Sequence, residues 1–146
     1  MHCVSLTRYL LLYLIIAMAA NRSVDHLAER FPALEAIDQL ELLIDIPGLS
    51  WQLFTTPNCA PCQDIKRKLP LWAYDFLPSS RCFSIDLAVL PQACSAFQVL
   101  SAPTLIVCLD GQEIARQVRY VNFSLLREQL ARPLALWQAS LSATGG

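Results

Sequence analysis

Cys59-Ala60-Pro61-Cys62 constrains this chain more than any other stretch. An apolar, strand-like run, Trp51-Gln52-Leu53-Phe54, leads into it, and a cationic helical stretch, Gln63 to Leu69, leads out. Two cysteines spaced i, i+3 at the start of a helix lie on one side of its first turn. The amide dipoles there favour negative charge, so a thiolate is stabilised. Two adjacent sulfurs, one of them acidic and exposed, can exchange a disulfide with another protein.

The rest of the sequence supplies elements around that junction. Ser23 to Phe31 reads as a short amphipathic helix closed by Pro32, and Ala33 to Ile37 as an edge strand. Asp38 with Glu41 fits a capping pattern for a helix through Leu40, Leu43 and Ile44, and Pro47-Gly48 is a turn. Trp51 to Thr55 is a buried strand, and the helix after the cysteines runs to about Phe76 with a kink expected at Pro70. Arg81 to Asp86 is a strand and Pro91 to Gln98 a short helix. Thr104 to Leu109, the turn Asp110-Gly111 and Glu113 to Val118 read as a hairpin. Asn122 caps a last helix, Phe123 to Ala131, which Pro133 is expected to close, leaving 133–146 as a helical or loose tail. Alternating strands and helices predict parallel pairing, and the hairpin adds an antiparallel pair. The expected class is therefore α/β, a mixed sheet with helices on both faces.

Composition excludes several function classes. The formal charge is -1 with no basic run, so nucleic acid is not an expected partner. Four glycines, two of them at the end of the chain, leave no Gly-rich phosphate loop, and His2 and His26 are too few and too N-terminal for a histidine centre.

The N-terminus looks like an export signal. Arg8 precedes an unbroken apolar run, Tyr9 to Ala20, that ends with the small-x-small triplet Ala17-Met18-Ala19. Twelve apolar residues fall short of the span of about 20 that a membrane-crossing helix needs. Residues 1–20 are thus read as a cleaved signal, with a membrane anchor through residues 9–20 or an ordinary buried helix as alternatives. Residues 21–32 are a helical extension. Export, periplasmic or secreted, would put the thiols in an oxidising compartment. Cleavage near Ala20 would leave five of the six cysteines, an odd number.

In this element order, Phe54-Thr55-Thr56-Pro57-Asn58-Cys59-Ala60-Pro61-Cys62 resembles the active-site segment of the thioredoxin-like superfamily. Ser101-Ala102-Pro103-Thr104, before the apolar Leu105-Ile106-Val107, is a second match, with Pro103 lying 41 residues after Cys62. Asp110-Gly111 between the last two strands is a third. The resemblance spans about residues 33–132 and implies a three-layer α/β/α sandwich with a central mixed sheet. It also implies a thiol-disulfide oxidoreductase working on protein thiols and disulfides, with an upstream dithiol protein as electron donor. The Cys59-Cys62 disulfide would be the redox group, and no dissociable cofactor or metal is expected.

The resemblance assigns roles residue by residue. Cys59 is the exposed nucleophile and Cys62 the more buried resolving thiol. Pro61 fits the first helical turn without loss, since no partner awaits its missing N–H. Pro103, after a cis bond from Ala102, shapes a docking groove that Pro61 and Asn58 border, where a substrate peptide can pair as an added strand. Four positions depart from the family pattern: Asn58 replaces a Trp, Leu53 a buried Asp, Cys82 the Lys that accompanies that Asp, and Arg119 a Gly. Loss of both members of the ionic pair is self-consistent, because an unpaired buried charge is costly. The lost base should slow resolution of mixed disulfides. The missing histidine between the cysteines mildly favours a reductant.

Plainer readings stand beside these. The cysteine pair can be half of a zinc site or a structural disulfide in a non-catalytic binding module. Cys108 and Cys94 read as structural. Cys82, placed by correspondence near the floor beneath Cys62, is a candidate third redox thiol. Trp51, Trp72 and Trp137 read as core or rim aromatics, and Lys66, Arg67 and Lys68 as a solvated helix face.

Overall fold

A computed structural model describes residues 31–145. The export segment, the helix expected over Ser23 to Phe31, Cys3, His2 and His26 lie outside the described residues apart from Phe31 itself. The elements are β1 (Ala33–Leu34), α1 (Ile37–Ile44), β2 (Leu49–Thr55), α2 (Ala60–Phe76), β3 (Arg81–Asp86), α3 (Gln92–Ala96), β4 (Thr104–Leu109), β5 (Gln112–Val118) and α4 (Phe123–Thr144).

The strands form one mixed sheet in the order β1-β3-β2-β4-β5. β2 and β1 both run parallel to β3, while β4 runs antiparallel to β2 and to β5. β2 therefore lies mid-sheet, and all seven of its residues are buried. Both faces of the sheet are covered there, so even its polar Ser50, Gln52 and Thr55 are buried.

Each face carries its own core. Trp51 and Leu53 face Ile65, Leu69 and Ala73 of α2 and Leu126, Leu130 and Leu134 of α4. Phe54, Phe83, Ile85 and Ile106 face Leu40 and Leu43 of α1 and Ala93 of α3. The sandwich thus has three layers, with helices on both sides of the sheet. Aromatic rings tie the first core together: Trp72 packs edge-on to Trp51 at 5.3 Å and lies 5.0 Å from Phe123 of α4.

Two local expectations need correction. The first helix starts at Ile37, not behind an Asp38 cap. The Gln39 side chain does the capping, its Oε1 accepting the N–H groups of Glu35 (2.8 Å) and Ala36 (3.0 Å). α2 runs through Pro70 to Phe76 as expected, with Pro70 buried in its inner face. α4 is not closed by Pro133 but runs to Thr144, so the tail is helical and continuous with it. An internal proline costs about 3 kcal/mol. Burial of Leu134 and a hydrogen bond from Trp137 Nε1 to Asp110 Oδ2 (2.6 Å), both beyond the proline, offset that cost.

The β4–β5 turn is the second organising point. Asp110 and Gly111 both have positive φ, 49° and 79°, the requirement of a two-residue hairpin turn with primed geometry. A Cβ on Gly111 would run into the backbone carbonyl of Ile44, so only glycine lets α1 close on the turn.

Candidate dithiol site

The site forms where β2 ends. After Thr55 the chain turns through Pro57 and Asn58, and Asn58 adopts a left-handed φ of 57°. Asparagine tolerates that conformation better than most side chains. Asn58 therefore has a backbone role besides its place at the border of the groove.

Cys59 follows as the N-cap of α2, with extended φ and ψ of -94° and 99°. Its carbonyl accepts the Gln63 N–H at 3.2 Å and its Sγ accepts the Cys62 N–H at 3.3 Å. Cys59 and Cys62 are joined as a disulfide, with Cα atoms 5.2 Å apart. Pro61 occupies the first turn, where N–H groups have no helical acceptor. The two sulfur residues differ in exposure: Cys59 is half-buried and Cys62 completely buried. An incoming group can therefore reach the N-cap cysteine first. A reduced Cys59 would have its charge stabilised by the Cys62 amide and the helix dipole.

Pro103 belongs to the same end of the sheet. Thr104, the next residue, pairs with Phe54 of β2 on one side and Val118 of β5 on the other. The Ala102–Pro103 peptide bond is cis. The Thr104 hydroxyl donates to Ser101 O at 2.7 Å, and the Arg119 N–H donates to Pro103 O at 2.7 Å. Fixed from both sides, Ser101 and Ala102 remain half-buried, while Leu100 and Tyr120 are 97% and 85% exposed. The sequence held a signal for these two rim residues only in their adjacency to the Ser-Ala-Pro-Thr segment and to Arg119.

The floor is apolar. Leu53 is fully buried, opposite Ser84 of β3 and Leu105 of β4. No carboxylate occupies the strand position six residues before Cys59. Cys82 is buried in the same core cluster as Leu53. It pairs with Trp51, two residues before Leu53, and lines a small hollow with Pro70 and Ala73 in the second half of α2. Burial pushes its thiol up to about 12. Cys108 is also buried, its thiol pushed up to about 11 by burial and by the charge of Glu113. Cys94 is half-buried on α3.

The cationic face of α2 is partly neutralised. Asp64 accepts from Lys68 (2.8 Å) and Arg67 (2.6 Å), which hold its carboxyl below the usual range. Among the described residues, no group of three or more His, Cys, Asp and Glu could hold a metal ion.

Comparison with known proteins follows this geometry. A thioredoxin-like protein of Bacillus subtilis, YdfQ, is 25% identical over 105 residues, 72% of this chain and 93% of the relative. Thioredoxin of Staphylococcus aureus is 32% identical over 76 residues, covering 52% of this chain and 73% of the relative. The crystal structure of thioredoxin from Trypanosoma brucei brucei superposes with a TM-score of 0.61 at 24% identity, over 70% of this chain and 89% of that one. No family model matches the sequence.

Proposed function

The chain belongs to the thioredoxin family, and from that premise we propose that it is a thiol-disulfide oxidoreductase that exchanges disulfides with protein substrates through Cys59 and Cys62. One observation carries the reading. A half-buried N-cap sulfur is joined to a fully buried sulfur one turn on, beside an N–H donor and a helix start. That is the arrangement of an attacking and a resolving cysteine.

In the reducing direction, the Cys59 thiolate attacks a substrate disulfide. A Cys59–substrate disulfide forms and one substrate sulfur leaves as a thiolate, to be protonated. The Cys62 thiol then loses its proton and attacks Cys59 Sγ. The Cys59–Cys62 bond forms and the second substrate thiol is released. Two electrons have passed from the pair to the substrate, with one proton from Cys62 and one from solvent. A dithiol protein upstream restores the reduced pair by the same exchange in reverse order.

Leu53 shapes the second step. With no carboxylate under Cys62, its proton must pass to solvent or to the departing substrate thiolate, which supports a slow resolving step. The edge at Ala102 and Pro103 supports docking of an extended substrate segment beside the dithiol. The apolar run at residues 9–20 supports an exported location.

A non-catalytic module with a permanent disulfide is the second reading, favoured by the apolar floor alone. The cysteine variants separate the two. Cys59→Ser should abolish reduction of a protein disulfide, and Cys62→Ser should accumulate a mixed disulfide visible by mass spectrometry. Normal turnover in either variant would sink the mechanism. A pair that resists reduction by a dithiol at millimolar concentration would establish the module instead.

A further inference from the structure

We propose that Arg119 sets substrate preference, selecting protein segments that carry an acidic side chain next to the cysteine being exchanged. The proposal rests on the oxidoreductase reading above and adds to it the chemistry of the preferred partner.

Three observations converge on this residue. Arg119 has a φ of 69°, in the left-handed region that glycine fills without strain. A bulky residue there persists only where the surroundings hold it, and such outliers gather at functional sites. The surroundings are the docking edge itself. The Arg119 N–H donates to the carbonyl of Pro103 at 2.7 Å, and the preceding Val118 pairs with Thr104. The Cα of Arg119 is thereby fixed one hydrogen bond from the proline.

The third observation concerns the guanidinium. Arg116 is engaged by Glu113 and by the Phe97 and Gln98 carbonyls, Arg67 by Asp64, and Arg127 by the faces of Trp72 and Phe76. Arg119 is exposed and its side chain has no hydrogen bond or ion pair among the described residues. An unengaged, permanently charged fork of donors at the rim matches a carboxylate.

A peptide pairing at Ala102 and Pro103 advances about 3.3 Å per residue, so its side chains one or two positions from the sulfur fall within reach of an arginine anchored beside the proline. Exposed Tyr120 and Leu100 border the same edge, giving the visiting segment apolar surface around the charge. The nearest protein positions at the dithiol, Asn58, Ala60 and Pro61, are uncharged. Arg119 is therefore the charged element of this rim.

The test uses the full chain and two disulfide peptides that differ only in a Glu or a Lys beside the substrate cysteine. The ratio of their kcat/KM values is measured for the wild type, Arg119→Gln, Arg119→Gly and Arg119→Lys. Because a neighbouring charge alters the peptide cysteine itself, each ratio is divided by that of Arg119→Gln. At low salt, the wild type should prefer the Glu peptide by about fivefold after that correction, as for a solvent-facing charge pair. The preference should shrink at 1 M salt, persist largely in Arg119→Lys and vanish in Arg119→Gly. A corrected ratio near one, or one that ignores salt, overturns the proposal while leaving the oxidoreductase reading intact. Failure to reduce either peptide, with both thiols titratable, overturns the oxidoreductase reading and this proposal with it.

Discussion

The two ends of the sheet are built on opposite terms. At the β4–β5 turn Asp110 is a hub of hydrogen bonds. Asp110 donates its N–H to Gly48 O (2.9 Å), while its carboxylate accepts from the Gly48 N–H and from Trp137 Nε1, both at 2.6 Å. Gly111 is closed over by the end of α1. At the dithiol end, Cys59 is half-buried, Arg119 is unengaged, and Leu100 and Tyr120 face solvent. Positive φ occurs at both ends, at Asp110 and Gly111 in one and at Asn58 and Arg119 in the other. In the first it is matched by those hydrogen bonds; in the second it positions groups with bonding capacity to spare. The lesson is that this fold can hold its reactive end open because the far end ties three separate segments together.

The largest effect that tests this contrast lies under the dithiol. Leu53→Asp would supply the missing base but bury a carboxyl without a partner, at a cost of about 4 kcal/mol. Burial would raise the pKa of that carboxyl, so the variant should be more stable at pH 5 than at pH 8 in urea unfolding, while its resolving step quickens. An equal urea midpoint for variant and wild type would mean that the floor is not dry.

Next comes Gly111→Ala. The clash with the Ile44 carbonyl and the left-handed φ together should cost about 3 kcal/mol, with little change in thiol chemistry. A loss of dithiol reactivity beyond the loss of folded protein would show that the two ends are not independent. Asp110→Ala removes a hub of hydrogen bonds and should cost about 2 kcal/mol. Trp137→Phe should recover part of that same loss in a double-mutant cycle, since both act through one contact.

Alkali probes the buried thiols between the ends. Cys82 and Cys108 have pKa values raised by burial from 9.0 to about 12 and about 11. Above pH 9 the unfolded chain has released these protons and the folded chain has not. Each thiol should therefore lower stability by about 1.4 kcal/mol per pH unit from pH 9 up to its folded value, and have no effect below pH 9. Native alkylation at pH 8 should leave both unmodified. The smallest change is a gain. Arg119→Gly relieves the left-handed strain and should raise stability by about 1 kcal/mol, measured by thermal unfolding. A loss instead would mean that the arginine is stabilising rather than tolerated.

Much of the fold was legible because it rests on local pattern. Arg81 to Asp86 and Thr104 to Leu109 were read as strands with the bounds observed, and Asp110-Gly111 gave the hairpin through its own dihedral preferences. Asn122 caps α4 as read, its Oδ1 accepting the Leu125 N–H at 2.9 Å. What the sequence hid depends on partners far along the chain. Pro133 lies within a helix because Leu134 and Trp137 find the core and Asp110, a tie across 27 residues. Cys82 lies beside Pro70 because strand register, not sequence spacing, sets its neighbours. The dithiol was legible from four residues. The meaning of Arg119 required the hydrogen bond to Pro103.

The sheet's borders carry one more consequence. β1 is only two residues long, and β5 bears Glu113 and Arg116 along the opposite border. A short strand on one side and charges on the other give neighbouring copies little template for stacking into fibrils. The flanks of the sheet thus resist strand-to-strand pairing between copies, and crowding is less able to drive aggregation through them.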